Sequence, residues 1–158
     1  MPSLIHFTMA GLLVLAGIGH PRQVSAQASA SMPDRERLIG AWHLVSLKTP
    51  GPDGKMIAVP GLKGTLIYTR DGHMSVEIMY PESQSSLTND YVLNGYEASF
   101  GSYDVDESTH TITHHVQGSI TRQLAGKNLV RSYQLSQHRL IVRSVLQDEH
   151  WSVTWEHD

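Results

Sequence analysis

The chain has no cysteine among its 158 residues. That excludes disulfides, thiolate metal ligands and thiol nucleophiles, so stability must come from packing and hydrogen bonding. Charge is sparse: Asp, Glu, Lys and Arg make up 17% of residues, for a formal net charge of −3. No basic patch of the kind a phosphate backbone demands is present, and nucleic acid is not an expected partner. Also missing are a Gly-x-Ser-x-Gly elbow, a phosphate loop and a dinucleotide fingerprint, so no cofactor is expected. With 40% hydrophobic residues, the composition fits one globular domain rather than a disordered chain or a membrane bundle.

What is present begins with an apolar run, "MAGLLVLAGIG" (9–19), of 11 residues. It is too short to span a bilayer but suits the core of a signal peptide. "HPRQVSAQA" follows, in which Val24 and Ala26 place small residues at the −3 and −1 cleavage positions. The expectation is a leader over 1–26, a flexible segment over 27–35 and a folded domain over 36–157. The mature protein would be exported, to the periplasm or beyond, and would keep no membrane span.

"DRERLIG" (34–40) predicts a short helical turn, with Asp34 as N-cap and Gly40 as the stop. Beyond it, short β-branched and aromatic runs alternate with turn residues. Strands are predicted over 41–48, 64–69, 73–80, 96–105, 110–117, 128–135, 140–146 and 150–156. Asp71-Gly72 marks a hairpin, "TPGPDGK" (49–55) reads as a loop, and 81–95 is the longest loop, with one helical turn. Eight short antiparallel strands raise the problem of open edges, which closure into a barrel removes. The fold class is therefore all-β, an eight-stranded antiparallel up-and-down barrel in preference to a sandwich. Eight is also about the strand number at which a barrel can hold one small ligand.

From "LIGAWHLVS" onward the sequence resembles the lipocalin-like domain family of bacteria and fungi. The resemblance continues through "GTLIYTRDGHMSV", "YEASFGSYDVDESTHTITHHVQGS", "GKNLVRSY" and "WSVTWE", covering about residues 36–156. Gly40-Ala41-Trp42 also matches the Gly-x-Trp signature of true lipocalins, after a short helical turn and at the start of the first strand. The resemblance implies that Trp42 plugs the closed end and that a late-strand arginine packs over its ring. Arg131 is the better candidate, because it shares an alternation face with Leu129, Tyr133 and Leu135; Arg143 is second.

Three histidines fall in six positions of "THTITHHVQG" (109–118). In a strand, residues i and i+4 share a face but lie about 13 Å apart. His110 and His114 therefore cannot share a metal ion, and His114 and His115 point to opposite faces. No metal site is expected. His110 and His114 lie on the apolar face with Ile112 and Val116, while His115 turns to solvent. Inside an apolar cavity, His114 would orient a ligand by hydrogen bonding or act as acid or base; a neighbouring Thr or Tyr hydroxyl could equally well satisfy it.

Tyr68, Met74, Tyr80, Tyr96, Phe100 and Tyr103 supply aromatic and thioether surface suited to a flat or hydrophobic molecule. The expected ligand-binding set is Trp42, Tyr68, Met74, Tyr96, Phe100, Tyr103, His114, Arg131, Tyr133 and Trp155. The leading expectation is an exported monomer or weak dimer whose interior binds a small hydrophobic or aromatic molecule. The rival is a small pocket enzyme, of cyclase, isomerase or pericyclase type, that holds a reactive substrate in the productive conformer. A third reading is a solid-cored barrel that uses its outer surface.

Overall fold

The computed structural model of the chain describes residues 32–157. The expected leader (1–26) and most of the segment after it lie outside the described residues. A one-and-a-half-turn helix, α1 (Asp34–Leu38), precedes nine strands: β1 (Gly40–Pro50), β2 (Met56–Ala58), β3 (Lys63–Tyr68), β4 (His73–Met79), β5 (Tyr96–Asp106), β6 (Thr111–Ser119), β7 (Asn128–Leu135), β8 (Arg139–Ser144) and β9 (Ser152–Glu156). β1 and β3 to β9 pair antiparallel with their sequence neighbours, and β9 returns to β1. Eight strands thus form a closed up-and-down barrel, and closure leaves none of the eight with an open edge.

A ninth strand forms where the sequence reading placed none, and β1 extends into the loop predicted over 49–55. β1 runs on to Pro50 and folds back as β2, pairing Lys48 with Ala58 and Pro50 with Met56. The reversal is tight: the Gly51 N–H donates to the Lys55 carbonyl (2.8 Å), and Gly54 adopts φ +77°. At the Asp71-Gly72 hairpin only Gly72 needs positive φ (+90°), and its N–H donates to the Thr69 carbonyl (3.1 Å).

Strict alternation fills the interior. β4 turns Met74, Val76 and Ile78 inward, β7 turns Arg131 and Tyr133, and β8 turns Leu140 and Val142. Two irregularities reset the count. In β1 the register against β9 shifts between Leu44 and Ser46, so Trp42 and Leu47, of opposite parity, are both buried. In β6 the register against β5 shifts, so Gly101 faces Val116 while Phe100 faces Gly118. Such bulges let a strand keep one face apolar while it bends around a barrel.

One end of the barrel is sealed. Leu38 of α1 and Trp42 have no exposed surface, and the Trp42 Nε1–H donates to the Leu38 carbonyl (2.8 Å). Above them Tyr68 and Tyr103 pack with ring centroids 4.6 Å apart, and the Tyr103 hydroxyl donates to the Thr69 carbonyl (3.0 Å). Asp34 is not the N-cap that the sequence suggests: Pro33 occupies that position, with no side-chain cap. The Asp34 carboxylate instead accepts bonds from the Tyr133 hydroxyl (2.9 Å) and Arg37 (2.6 Å), which pins α1 across the barrel base.

Candidate functional site

The opposite end holds a partly open cavity of about 190 Å³. Its roof comes from three connections. The 81–95 loop contributes Tyr91 and Val92, the β6–β7 connection contributes Leu124, and the β8–β9 connection contributes Trp151. The loop is built from local signals: the Asn89 side chain accepts from the Tyr91 and Val92 backbone N–H groups (2.9 Å each). Asn94 and Gly95, both at positive φ, make the two-residue turn that leads into β5. Thr121 and Gln123 tie the loop to the barrel rim through Asp90.

The walls have two characters. Leu47, Leu66, Val76, Val142, Val153 and Trp155 make an apolar surface, drawn from β1, β3, β4, β8 and β9. Facing it is a polar strip on three adjacent strands: Glu97 and Ser99 of β5, His114 of β6 and Arg131 of β7.

Among the described residues His114 is held by one bond, between its Nε2 and the Tyr68 hydroxyl (2.8 Å). Burial raises the Tyr68 pKa far above the phenol range, so its proton stays on. That bond is the only one the Tyr68 hydroxyl makes among the described residues, and which partner donates follows the tautomer of the ring. Burial, then the charges of Arg131 and His115, push the His114 pKa down to about 3. It is neutral at any ordinary pH.

Arg131, 5% exposed, sits at the roof. Its guanidinium lies 4.8 Å from the Trp151 ring centroid and 5.4 Å from that of Tyr91. It donates to the Tyr91 hydroxyl (3.1 Å), which donates to Glu149 Oε1 (2.7 Å); Glu149 Oε2 also lies 3.7 Å from Arg131. Burial alone would raise the Glu149 pKa. Bonds from Tyr91, Ser144 and Trp151, with the charge of Arg131, outweigh it and hold the carboxyl below its usual range. The charge of Arg131 is thus countered at the roof.

Glu97 has no such partner. Its carboxyl receives no hydrogen bond and no ion pair from any described residue. Burial pushes its pKa up to about 7, with the Arg131 charge opposing in part.

The ten residues expected to form the site separate into three groups. His114, Arg131 and Trp155 line the cavity. Trp42, Tyr68, Met74, Tyr103 and Tyr133 are buried below it and pack the sealed end, with Tyr68 reaching the site only through His114. Tyr96 and Phe100 are corrections: they are 50% and 57% exposed, on the outer wall. Alternation along β5 places them opposite Glu97, Ser99 and Tyr103, and Phe100 covers Gly118, where an added Cβ would lie 2.5 Å from its ring.

The brace over the plug is a second correction. Arg131 stacks on Tyr91 and Trp151 at the roof, and His157 meets the Trp42 ring edge-on at 4.1 Å. Arg143, the other candidate, bonds Gln134 on the outer face (3.1 Å). His110 is a third: it sits in the exposed β5–β6 turn at φ +52° rather than on the inner face of β6. His115 is on the outer wall, where bonds to Asn128 and Asp104 raise its pKa.

Glu97, Ser99, Tyr91 and Trp151 were absent from the expected set. For Glu97 and Ser99 the signal was available, since they share parity with Tyr103. For Tyr91 and Trp151 it was not, because loop residues carry no periodicity. Among the described residues no three His, Asp or Glu side chains converge as a metal site would require.

A family model described as a lipocalin-like domain matches residues 39–157. No curated protein matches the chain. Among solved structures, the crystal structure of a mutant of the fluorescent protein UnaG is similar over 78% of this chain and 97% of that one. The two are 10% identical, with a TM-score of 0.40.

Proposed function

Because the chain belongs to the lipocalin-like domain family, we propose that it binds a small, mostly apolar molecule inside its barrel. The observation that carries this reading is the roofed cavity of about 190 Å³, apolar on one wall and polar on the other. An engineered apolar cavity of roughly 150 Å³ binds benzene, so the space suits a one- or two-ring molecule. Burying about 200 Å² of apolar ligand surface supplies roughly 5 kcal/mol of gross driving force, from which the costs of association are subtracted.

The test is an NMR titration with toluene or indole, followed on Trp155 and Val153. The wild type is expected to show saturable shifts confined to cavity residues. Val142→Phe, which directs a ring into the same space, is expected to fold and to lose binding. Shifts scattered over the outer wall, or unchanged binding by the filled variant, would refute interior binding.

Export belongs to the same reading, and it rests on the apolar run 9–19 and the small residues before Gln27. Protein recovered from its native host is expected to begin at Gln27 by N-terminal mass spectrometry. Recovery with residues 1–26 intact contradicts it.

A further inference from the structure

We propose that the ligand carries a basic nitrogen, and that Glu97 is the group that receives it as an ammonium ion. This rests on the interior-binding reading and adds the chemistry of the ligand's polar end. The argument is one of unmatched charge. Two ionisable groups of opposite sign face the cavity, but only one is answered by the protein. Arg131 has Glu149 at 3.7 Å, the Tyr91 hydroxyl at 3.1 Å and two aromatic faces. Glu97 faces the same space without a hydrogen bond or an ion pair from any described residue.

A carboxylate in such a place is costly unless a cation joins it. In the empty barrel a proton fills that role, which is why the carboxyl titrates near neutrality rather than in the usual acid range. An ammonium group brings both the charge and up to three donors. The apolar wall opposite accepts the remainder of the molecule.

The other groups around Glu97 do not compete for this function. His114 on β6 is neutral, with its pKa near 3. Tyr80, just past β4, is held as a phenol by burial first and then by the Glu97 charge, its pKa pushed up to about 12. Ser99, on β5, does not titrate. Burial likewise keeps Tyr91 protonated, while Glu149 stays ionised against Arg131. Between pH 5.5 and 8.5, Glu97 is therefore the cavity-facing group that changes charge.

The experiment compares benzylamine with benzyl alcohol, matched in size and differing in charge, by NMR titration of the full-length mature protein at pH 5.5 and 8.5. Benzylamine stays protonated at both. At pH 8.5 it is expected to bind about tenfold or more tightly than the alcohol, the scale of a hydrogen bond to a charged group. At pH 5.5 the preference is expected to shrink severalfold as Glu97 takes up its proton. In Glu97→Gln it should be lost at both pH values, with alcohol binding retained.

Equal binding of the two probes by the wild type at pH 8.5 overturns the assignment and leaves interior binding intact. So does an undiminished amine preference in Glu97→Gln. Preference for benzoate over both would assign the polar end to Arg131 and also overturn it. Failure of every probe to bind removes interior binding, and this inference with it.

Discussion

Glu97→Gln is expected to make the empty protein about 3 kcal/mol more stable than the wild type at pH 8, and no more stable at pH 4. The folded-state pKa of Glu97 is about 7, above the 4.5 of an ordinary glutamate. The folded protein therefore holds a proton that the unfolded chain releases. Stability from this group is complete below pH 4.5, declines as pH rises from 4.5 through 7, and is gone above about 8. At 1.36 kcal/mol per unit, the interval corresponds to about 3 kcal/mol. Glutamine keeps the shape and polarity of the protonated acid and cannot ionise. Urea denaturation at pH 4 and pH 8 measures the difference, and for a domain of this size it amounts to a Tm increase on the order of 10 °C. A variant no more stable at pH 8 than at pH 4, relative to wild type, would mean that Glu97 is solvated or paired. A residue whose removal stabilises the fold is also what a binding site predicts, since such sites hold groups that only the ligand satisfies.

His114→Gln should have its main effect in acid. His114 is neutral in the folded barrel, with a pKa near 3, while an unfolded histidine takes up a proton near 6.5. Its depressed pKa reverses the sign found for Glu97. Its contribution is intact above pH 6.5 and is lost as pH falls from 6.5 toward 3, because the unfolded chain then binds the extra proton. Over the two units from 6.5 to 4.5 the loss is about 3 kcal/mol, and over the whole interval about 5 kcal/mol. Glutamine can still bond the Tyr68 hydroxyl and does not titrate. Relative to wild type, the variant is expected to gain stability steadily below pH 6.5 and to change little above pH 7.

The two titrations oppose each other between pH 4.5 and 6.5. In that window the wild type should show almost no net slope from this pair, and each single variant should uncover the slope of the other. Parallel pH profiles for wild type and His114→Gln would place the imidazole in contact with solvent and remove it from the cavity wall.

Much of the fold was legible locally. Met74, Val76 and Ile78 alternate with Ser75, Glu77 and Met79, and the structure buries the first three. Ile112, His114 and Val116 share the inner face of β6 for the same reason, and His115 faces out. The parity of β5 was equally available, yet grouping its aromatics by composition put Tyr96 and Phe100 on the wrong wall and passed over Glu97. The β1 and β6 bulges were not readable, since a register shift is a relation between two strands.

What the sequence by itself determined is the eight strands of the barrel and, away from the bulges, the face most of their residues present. Backbone pleating and apolar alternation are properties of a chain and its nearest neighbours. Only the tertiary structure decided which inward side chains meet one another and at what depth. Closure set Trp42 and Tyr133 in the sealed end, and brought Glu97, His114 and Arg131 from three strands to one wall. The roof loops, which have no periodic pattern to read, then gave Arg131 its counter-charge in Glu149 and left Glu97 without one. The polarity of the cavity depends on that last difference, because charge compensation is set by three-dimensional distance rather than by position along the chain.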